Sequence, residues 1–249
     1  MEIRSATKAD CLAIAELALV AGDGIPGYFW AESRQPGESL EQAGAELAAS
    51  ETANFSYRNA HIAWVGNEIG GMLLAYQLSA AENNDEDPNE FPEFVRPLVE
   101  LEQCVPESFY INMLATYPQY RGQGIGTALM GLIDRLALDV GCELASIEVF
   151  DINQTAVKLY RQLGYEIVDK RPMIASDYLP ACQVLLLTRQ LASTKPDYLG
   201  CNQAGKKLYR SRLIVSLYDI SCASSFASRS PALPTSKKSV APPTNSSPR

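Results

Sequence analysis

Histidine is almost absent from this chain of 249 residues, which contains one, His61. A single histidine nearly excludes a histidine-based metal site and leaves one candidate for a Ser-His-Asp triad. Since His61 lies in a strand-like run, we interpret it as structural. The six cysteines are scattered and include no CxxC pair, so we expect buried free thiols and predict no metal site.

Long apolar runs are also lacking. No stretch approaches the roughly 20 apolar residues that a membrane-spanning helix needs. The N-terminus, Met1–Arg4, lacks the basic and then apolar plan of a signal peptide. These absences predict a cytoplasmic protein that does not act at a membrane.

Basic residues are scarce in the first 191 positions, which contain 12 Lys and Arg against 27 Asp and Glu, a net charge of −15. So acidic a body repels phosphate, and no nucleic-acid partner is expected. A cationic partner fits an acidic surface better, although an acidic surface can also serve only to keep a protein soluble.

The composition changes at Ala192. Residues 192–249 contain 12 Ser and 6 Pro, and their 9 Lys and Arg against 2 Asp and Glu give a net charge of +7. Sequence of this kind has too little apolar surface to offset the entropy lost on ordering. We therefore predict a folded domain over 1–191 and a disordered basic tail over 192–249, to which no function is assigned.

What the chain does have is a strand, a glycine-rich turn and a helix in succession over 108–138. The apolar run Phe109–Ala115 has strand composition, and Pro118 closes it. Arg-Gly-Gln-Gly-Ile-Gly follows at 121–126, and apolar residues then recur at helical spacing until Gly141. Such a turn favours anions, because the first helical N–H groups have no intrahelical partner and the helix dipole attracts negative charge.

Two other phosphate-binding patterns do not fit this turn. The P-loop ends in Gly-Lys-Ser/Thr, which is absent. The dinucleotide pattern G-x-G-x-x-G fails because its sixth position is Thr127 counted from Gly122 and Leu129 counted from Gly124. A Rossmann-type oxidoreductase is therefore disfavoured. A tight strand–helix turn that uses glycine only for packing remains the alternative to a phosphate site.

The pattern that does stand here, R-G-x-G-x-G over 121–126 after Leu114-Ala115-Thr116, resembles the acetyl-CoA signature of the GCN5-related N-acetyltransferases, the GNAT family. A second segment, Asn153 to Tyr165, resembles the N-x-x-A-x-x-x-Y-x-x-x-G-F/Y element of the same family. The two motifs occur in the family's order. The resemblance covers the predicted folded domain, with its weight on 109–165.

This resemblance implies an α/β (α+β) fold with a central mixed, mostly antiparallel sheet of about six to seven strands flanked by helices. It implies that the protein transfers the acetyl group of its co-substrate acetyl-CoA to a primary amine by direct attack in a ternary complex. It also leaves room for a homodimer. A catalytically inactive GNAT-like module that binds or senses acyl-CoA is the alternative, against which the intact Tyr160 and Asn153 argue.

The resemblance assigns cofactor binding to three groups of residues. The main chain of the central strand is expected to hold the pantetheine arm, the glycine turn to hold the pyrophosphate, and the second motif to contribute two residues. The set is Leu114, Ala115, Thr116, Arg121, Gly122, Gln123, Gly124, Ile125, Gly126, Thr127, Asn153 and Tyr160.

The resemblance also points to two catalytic side chains. Tyr160 matches the family's usual acid, which protonates the departing thiolate; a helix tyrosine that packs its ring is the alternative. Glu148 is the candidate base, at a spacing from Tyr160 that resembles family members acting on protein N-termini; an outward-facing strand glutamate is the alternative. Tyr110 and Asn112 are further candidates to hold a water that relays the proton.

The resemblance also implies that two segments set the acceptor, Gly22–Gly37 and the insertion Ala81–Pro106. The first is so rich in glycine and proline that we predict no regular element in it. The second joins an acidic beginning to apolar residues at helical spacing from Phe91 to Leu101. Their aromatic and acidic side chains favour a cationic, partly apolar acceptor: a small-molecule amine, a protein N-terminus or a lysine.

Overall fold

A computed structural model of the protein describes residues 1–79, 87–175 and 180–191. The described residues form seven strands: β1 (Glu2–Ser5), β2 (Ala60–Val65), β3 (Glu68–Gln77), β4 (Phe109–Thr116), β5 (Leu144–Phe150), β6 (Glu166–Met173) and β7 (Cys182–Gln190). They also form seven α-helices: α1 (Cys11–Ala21), α2 (Ile25–Ser33), α3 (Leu40–Ala48), α4 (Arg96–Glu102), α5 (Ile125–Met130), α6 (Ile133–Asp139) and α7 (Gln154–Gln162). The predicted tail over 192–249 lies outside these residues.

The strands form one sheet in the order β1-β2-β3-β4-β5-β7-β6. Neighbouring strands are antiparallel except β4 and β5, which run parallel. A parallel pair needs a crossover connection, and α5 and α6 provide it. The predicted mixed, mostly antiparallel sheet flanked by helices is confirmed.

The core lies in two layers, one on each face of the sheet. Helices α1 to α4 contribute to the first layer, with Ile14 and Val99 among its buried side chains, and α5 to α7 contribute to the second, with Leu129 and Ile133. Because β4 has strands on both sides and helices on both faces, its side chains are mostly buried. The central strand is therefore a rigid base on which a site can be built.

The prediction that Gly22–Gly37 contains no regular element is wrong, because α2 occupies Ile25–Ser33. Gly24, with φ of 91°, is the N-cap of this helix, and Pro26 stands in its first turn, where the missing N–H of proline costs no hydrogen bond. Trp30, which is fully buried, anchors the helix in the core. Tertiary burial overrode the local signals of glycine and proline.

Two further differences concern helices. The helix predicted after the glycine turn is divided, because α5 ends at Met130 and α6 begins at Ile133, with Gly131 between them. Of the insertion predicted at 81–106, residues 81–86 lie outside the described part of the chain. Helix α4 begins within the apolar run predicted from Phe91 to Leu101 and ends one residue beyond it, at Glu102.

The cysteine prediction is only partly confirmed. Cys11 and Cys142 are buried free thiols, whereas Cys104 is exposed and Cys182 is half-buried. Over the described ranges, no helix combines the length and the apolar character that a membrane span requires.

Candidate active site

The central strand and its parallel neighbour separate partway along their length. β4 pairs with β5 only from Phe109 to Ile111. Beyond this point β4 continues to Thr116, while β5 stays paired with β7 to its end. In the described fold, the main-chain groups of 113–116 on the side of β5 therefore have no strand beside them and are open to pairing with an extended ligand.

A β-bulge in β4 marks the point of separation. Leu74 and Ala75 of β3 are consecutive but pair with Met113 and Ile111, so Asn112 is the extra residue. Its side-chain Oδ1 is buried and has no hydrogen-bond partner among the described residues. Bulges often re-aim side chains next to active sites. This one places a buried polar atom where the two strands part.

The glycine turn leaves open space beside its backbone. Gly122 and Gly124 have φ of 74° and 80°, the left-handed region that favours glycine, and a Cβ added at either would meet nothing within 4 Å. At Gly126, by contrast, an added Cβ would lie 3.4 Å from Leu159 of α7. Packing explains Gly126, whereas the other two glycines shape the turn and leave beside it a cradle that the protein does not fill.

Helix α5 begins directly after this cradle, with Gly124 as its N-cap. The amide of Ala128 donates to the Gly124 carbonyl at 3.0 Å, and the helical amides before it have no partner within the helix, as at every helix N-terminus. Nε of Arg121 donates to the Thr116 carbonyl at 3.3 Å and ties the turn to the end of β4. The arrangement presents main-chain donors beside an open cradle.

A cavity of about 720 Å³ joins the glycine turn to the gap between β4 and β5. Its volume lies within the roughly 300–1,000 Å³ of small-molecule and cofactor sites. Every predicted cofactor residue except Gln123 lines it; the Gln123 side chain instead donates to the Gln119 carbonyl at 3.3 Å. The two predicted catalytic residues, Tyr160 and Glu148, line the same cavity.

Tyr160 lies on α7, and only 5% of it is exposed. Its ring meets that of Tyr165 edge to face, with the ring centroids 6.2 Å apart. Burial raises the pKa of Tyr160 above its usual range, and Tyr165 adds to the effect. The hydroxyl is therefore protonated at neutral pH and can act as a proton donor.

Asn153, the first residue of the second motif, caps α7. Its Oδ1 accepts a hydrogen bond from the Ala156 amide at 3.2 Å. Such a cap fixes the start of a helix by satisfying one of its orphan amides. The Asn153 side chain thereby helps to set the position of Tyr160, two turns further along the same helix.

Glu148 lies on β5, and both of its carboxylate oxygens are buried. Neither oxygen has a hydrogen-bond partner in the described part of the chain. Burial raises the pKa of Glu148 well above its ordinary value, and the negative charge of Glu102 raises it further. Glu148 lines the cavity, and its burial favours the neutral carboxylic acid over the carboxylate.

Glu102, the last residue of α4, is a cavity residue that sequence reasoning missed. It is 4% exposed and lines the cavity. Burial, and after it the negative charge of Glu102, raise the pKa of Tyr110 on β4. The sequence did contain a signal for the burial of Glu102, because this residue follows Leu98 and Val99 at helical spacing and so shares their buried face. Its meeting with Glu148 on another element left no signal in the sequence.

The cationic and the acidic residues of the cavity come from different elements. The cations Arg121 and Lys158 come from the glycine turn and from α7, whereas the carboxylates Asp23, Glu102 and Glu148 come from the α1–α2 connection, α4 and β5. The cationic side chains suit phosphate groups, and the carboxylates suit an ammonium group. Within the described ranges, no group of three or more His, Cys, Asp or Glu side chains is arranged to hold a metal ion.

Comparison with known sequences gives local matches. The mouse thialysine N-epsilon-acetyltransferase is 44% identical over 55 residues, which make up 22% of this chain and 32% of that protein. The pig enzyme of the same name is 40% identical over 57 residues, 23% of this chain and 34% of that protein. The chain thus matches about a third of the length of these curated relatives.

Comparison with solved structures gives matches over most of the described chain. A crystal structure of an acetyltransferase aligns with a TM-score of 0.56 at 21% identity, covering 77% of this chain and all of that one. At such identity the likeness concerns the fold alone. The family model described as "Acetyltransferase (GNAT) family" matches residues 28–165, more than half of the sequence, and includes the glycine turn, the central strand and Tyr160. The chain therefore belongs to the GNAT family of acetyltransferases.

Proposed function

We propose that the protein is an N-acetyltransferase that transfers the acetyl group of acetyl-CoA to a primary amine. The observation that carries this proposal is the cavity, in which a glycine turn, an open strand edge and a buried tyrosine meet in a chain of the GNAT family. Acetyl-CoA would supply the activated thioester. The residues of the cavity would hold it, orient it and move the protons.

Three features of the cavity fit the cofactor. The cradle beside Gly122 and Gly124, with the helical amides that follow, would bind the pyrophosphate. Arg121 and Lys158 would balance the charge of the phosphates. The open main-chain groups of 113–116 would pair with the amides of the pantetheine arm as an added strand.

Two donors support the transfer step. A main-chain N–H of β4 beside the bulge would stabilise the thioester oxygen as negative charge develops on it. The Tyr160 hydroxyl, which burial keeps protonated, would give its proton to the departing thiolate. Both groups stand on elements fixed by the core, so little reorganisation is needed during the reaction.

The acceptor must lose a proton before it attacks, because an ammonium group has no lone pair. We assign this step to Glu148, whose buried carboxyl lines the cavity and has no other hydrogen-bond partner among the described residues. An ammonium group beside Glu148 would lower its raised pKa and turn it into a carboxylate able to act as the base.

We infer that the acceptor is a small cationic amine. The three carboxylates that line the cavity favour a positive charge, and the partly enclosed volume favours a small molecule. By their names, the mouse relative acts on thialysine, and a structural neighbour from Drosophila melanogaster (TM-score 0.54, 17% identity, covering 76% of this chain and 99% of that one) acts on polyamines. These names support the same class of acceptor.

A screen of acceptors tests this function. Purified full-length protein is incubated with acetyl-CoA and one amine from a panel of thialysine, lysine, agmatine, putrescine and short peptides with free N-termini, and free thiol is measured. Thiol release with a small amine is expected. Release with peptides alone would contradict the small-molecule acceptor. A raised melting temperature with acetyl-CoA but no release with any amine would identify a binding protein instead.

A further inference from the structure

Two side chains of the cavity contain buried oxygens that have no hydrogen-bond partner among the described residues. These oxygens are Oδ1 of Asn112 on β4 and both carboxyl oxygens of Glu148 on β5. A buried acceptor without a partner is costly, so such atoms in a cavity indicate a ligand that donates hydrogen bonds to them. Over the described ranges, no buried side-chain N–H in the cavity lining lacks a partner. This part of the cavity therefore lacks donors and not acceptors.

The register of the sheet places the two side chains at neighbouring positions. The last matched pair of β4 and β5 is Ile111 with Ile147. Asn112 and Glu148 follow this pair by one residue, each on its own strand. Since neighbouring strands lie about 4.8 Å apart and these two separate only beyond the pair, the three oxygens belong to one place in the cavity. It lies beside the main-chain N–H that we propose as the donor to the thioester oxygen.

The number of N–H groups distinguishes the amines that could occupy this place. A primary ammonium group carries three N–H donors, a secondary one carries two, and a quaternary one carries none. All of them carry the same charge, so the carboxyl group of Glu148 attracts each of them. Only the primary ammonium group offers one donor to each of the three oxygens.

We propose that Asn112 selects primary amines, because its Oδ1 accepts the one N–H that the acceptor nitrogen keeps through the reaction. The inference rests on the proposed acetyl transfer, in which the nitrogen of a primary ammonium group loses two of its three protons. The first passes to Glu148 before the attack and from there to solvent. The second leaves when the C–N bond has formed and the C–S bond breaks, and it replaces the proton that Tyr160 gives to sulfur. The third remains on the amide nitrogen of the product, hydrogen-bonded to Asn112.

A secondary amine loses both of its protons in the same steps. No N–H is then left for Asn112, whose buried Oδ1 stays without a donor. A site built to form a hydrogen bond rejects ligands that lack the donor, because its own polar atom is left unpaired. Glu148 does not provide this selection, because it takes up a proton that both kinds of amine lose. Asn112 is therefore the residue that determines specificity.

Turnover of two matched amines by full-length variants tests this selection. n-Butylamine or N-methylbutylamine is supplied with saturating acetyl-CoA, and thiol release is followed. In Asn112→Leu, which has similar size but no side-chain oxygen, kcat/KM for n-butylamine should fall by roughly tenfold, the cost of one lost hydrogen bond. For N-methylbutylamine it should stay near its wild-type value. Equal losses for both amines would make Asn112 a structural residue and overturn the selection.

Two further variants guard this test against a general effect on folding. Asn112→Ala also lacks the oxygen and should show the same change in preference. Asn67→Ala, at an exposed residue of the turn between β2 and β3 that is not among the described cavity residues, should keep the wild-type preference. All the variants should retain the rise in melting temperature with acetyl-CoA. A preference unchanged in both Asn112 variants overturns the proposal.

Binding of amines in the presence of CoA, which has no acetyl group to transfer, separates this inference from the proposed function. Calorimetry measures the affinity for n-butylamine, N-methylbutylamine and butyltrimethylammonium. Affinity should fall in that order, and the step between the first two should disappear in Asn112→Leu. A step of equal size in both proteins, or no binding of any of the three, overturns the role of Asn112. A step that the substitution removes, without thiol release in turnover, would contradict the acetyl transfer while supporting the contact with Asn112.

Discussion

At the scale of single residues, burial favours the protonated forms of two side chains that line the cavity. The raised pKa values of Tyr160 and Glu148 have the same leading cause, removal of the charged form from water. The consequences differ, because a protonated tyrosine can donate its proton, whereas a protonated glutamate must lose its proton before it can act as a base. Burial thus leaves Tyr160 able to donate a proton, whereas the role of base that we propose for Glu148 requires a cation beside it.

Removing the Tyr160 hydroxyl tests the acid. In Tyr160→Phe we expect kcat to fall by roughly 10²–10⁴, the usual contribution of general acid–base catalysis. The KM for acetyl-CoA should stay near its wild-type value, because the interaction strengthens as charge develops on sulfur. The measurement is thiol release at saturating acceptor.

The neighbouring Tyr165 provides the control. Tyr165→Phe removes the same atom from a buried ring in contact with Tyr160, but Tyr165 is not among the described residues that line the cavity. Its kcat should remain close to wild type. Equal losses in the two variants would make Tyr160 a packing residue.

The lowered pKa of Asp10 shows that its carboxylate stabilises the folded state. Its carboxylate accepts hydrogen bonds from the Arg4 guanidinium at 2.8 and 2.9 Å and from the Thr7 amide at 2.7 Å. The bond with Arg4, with help from Thr7, lowers the pKa of Asp10 from 3.8 to about 2. Because the folded-state pKa is the lower one, the stabilisation is complete above about pH 4 and is lost as pH falls to about 2.

The pH dependence of Asp10→Asn follows from this sign. The variant should lose on the order of 1–2 kcal/mol of unfolding free energy near neutral pH, less than the full shift implies because Arg4 is partly in solvent. The gap to wild type should close as pH falls through the range set by the two pKa values. Urea denaturation at several pH values measures it, and a gap of constant size would contradict the assignment.

At the scale of elements, a substitution in the glycine turn has two effects, loss of ligand binding and backbone strain, and a second glycine allows them to be told apart. Gly124 and Gly141 have φ of 80° and 81°, and a Cβ at either meets nothing within 4 Å. Gly141 follows α6 and is not among the described cavity residues. The two glycines differ in position and not in conformation.

Glutamate at these two positions gives a matched test. Both Gly124→Glu and Gly141→Glu should cost about 1–3 kcal/mol of stability through backbone strain. Only Gly124→Glu should also abolish the rise in melting temperature caused by acetyl-CoA, because its carboxylate would stand beside the pyrophosphate. Persistence of the full rise in Gly124→Glu would place the phosphates elsewhere.

The packing of α2 on α3 gives a second matched pair of glycines. A Cβ on Gly44 of α3 would lie 2.4 Å from Cζ3 of the buried Trp30, whereas one on Gly27 of α2 would lie 3.5 Å from Leu19. Overpacking costs typically 1–3 kcal/mol, and replacing a helical glycine by alanine stabilises by up to about 1 kcal/mol.

Alanine should therefore change stability in opposite directions at these two positions. We expect Gly44→Ala to lower the melting temperature and Gly27→Ala to raise it or leave it unchanged. Thermal unfolding followed by circular dichroism measures both. A stabilised Gly44→Ala would mean that the Trp30 ring moves aside at little cost, and that the contact between α2 and α3 is loose.

For the whole molecule, we predict that the folded domain ends at Leu191. Leu191, the last described residue, is buried in the second core layer, and its amide donates to the Glu143 carbonyl at 2.9 Å. Truncation after Leu191 should therefore keep both the melting temperature and acetyl-CoA binding. As a control, removal of the last half of β7 as well should abolish folding. An insoluble truncation after Leu191, with soluble full-length protein, would contradict the predicted boundary.

Much of the fold was predictable from the sequence because its signals are local. The hairpin of β2 and β3 follows from two apolar runs around Gly66, and α7 from Asn153 at its start and Gly164 at its end. The glycine turn was predictable for the same reason, since only glycine adopts its φ values freely. These features depend on neighbours in the chain, and the sequence records them directly.

What the sequence alone determined is the strand, the glycine turn and the start of the helix that follow one another from Phe109, together with the motifs that mark the family. The tertiary structure alone decided that α2 forms, because the burial of Trp30 outweighs the propensity of glycine and proline. It also decided that Glu102 meets Glu148, two residues far apart in the chain on different elements. The pKa of a buried carboxyl depends on what surrounds it in space, and the packing of α4 against the sheet sets those surroundings.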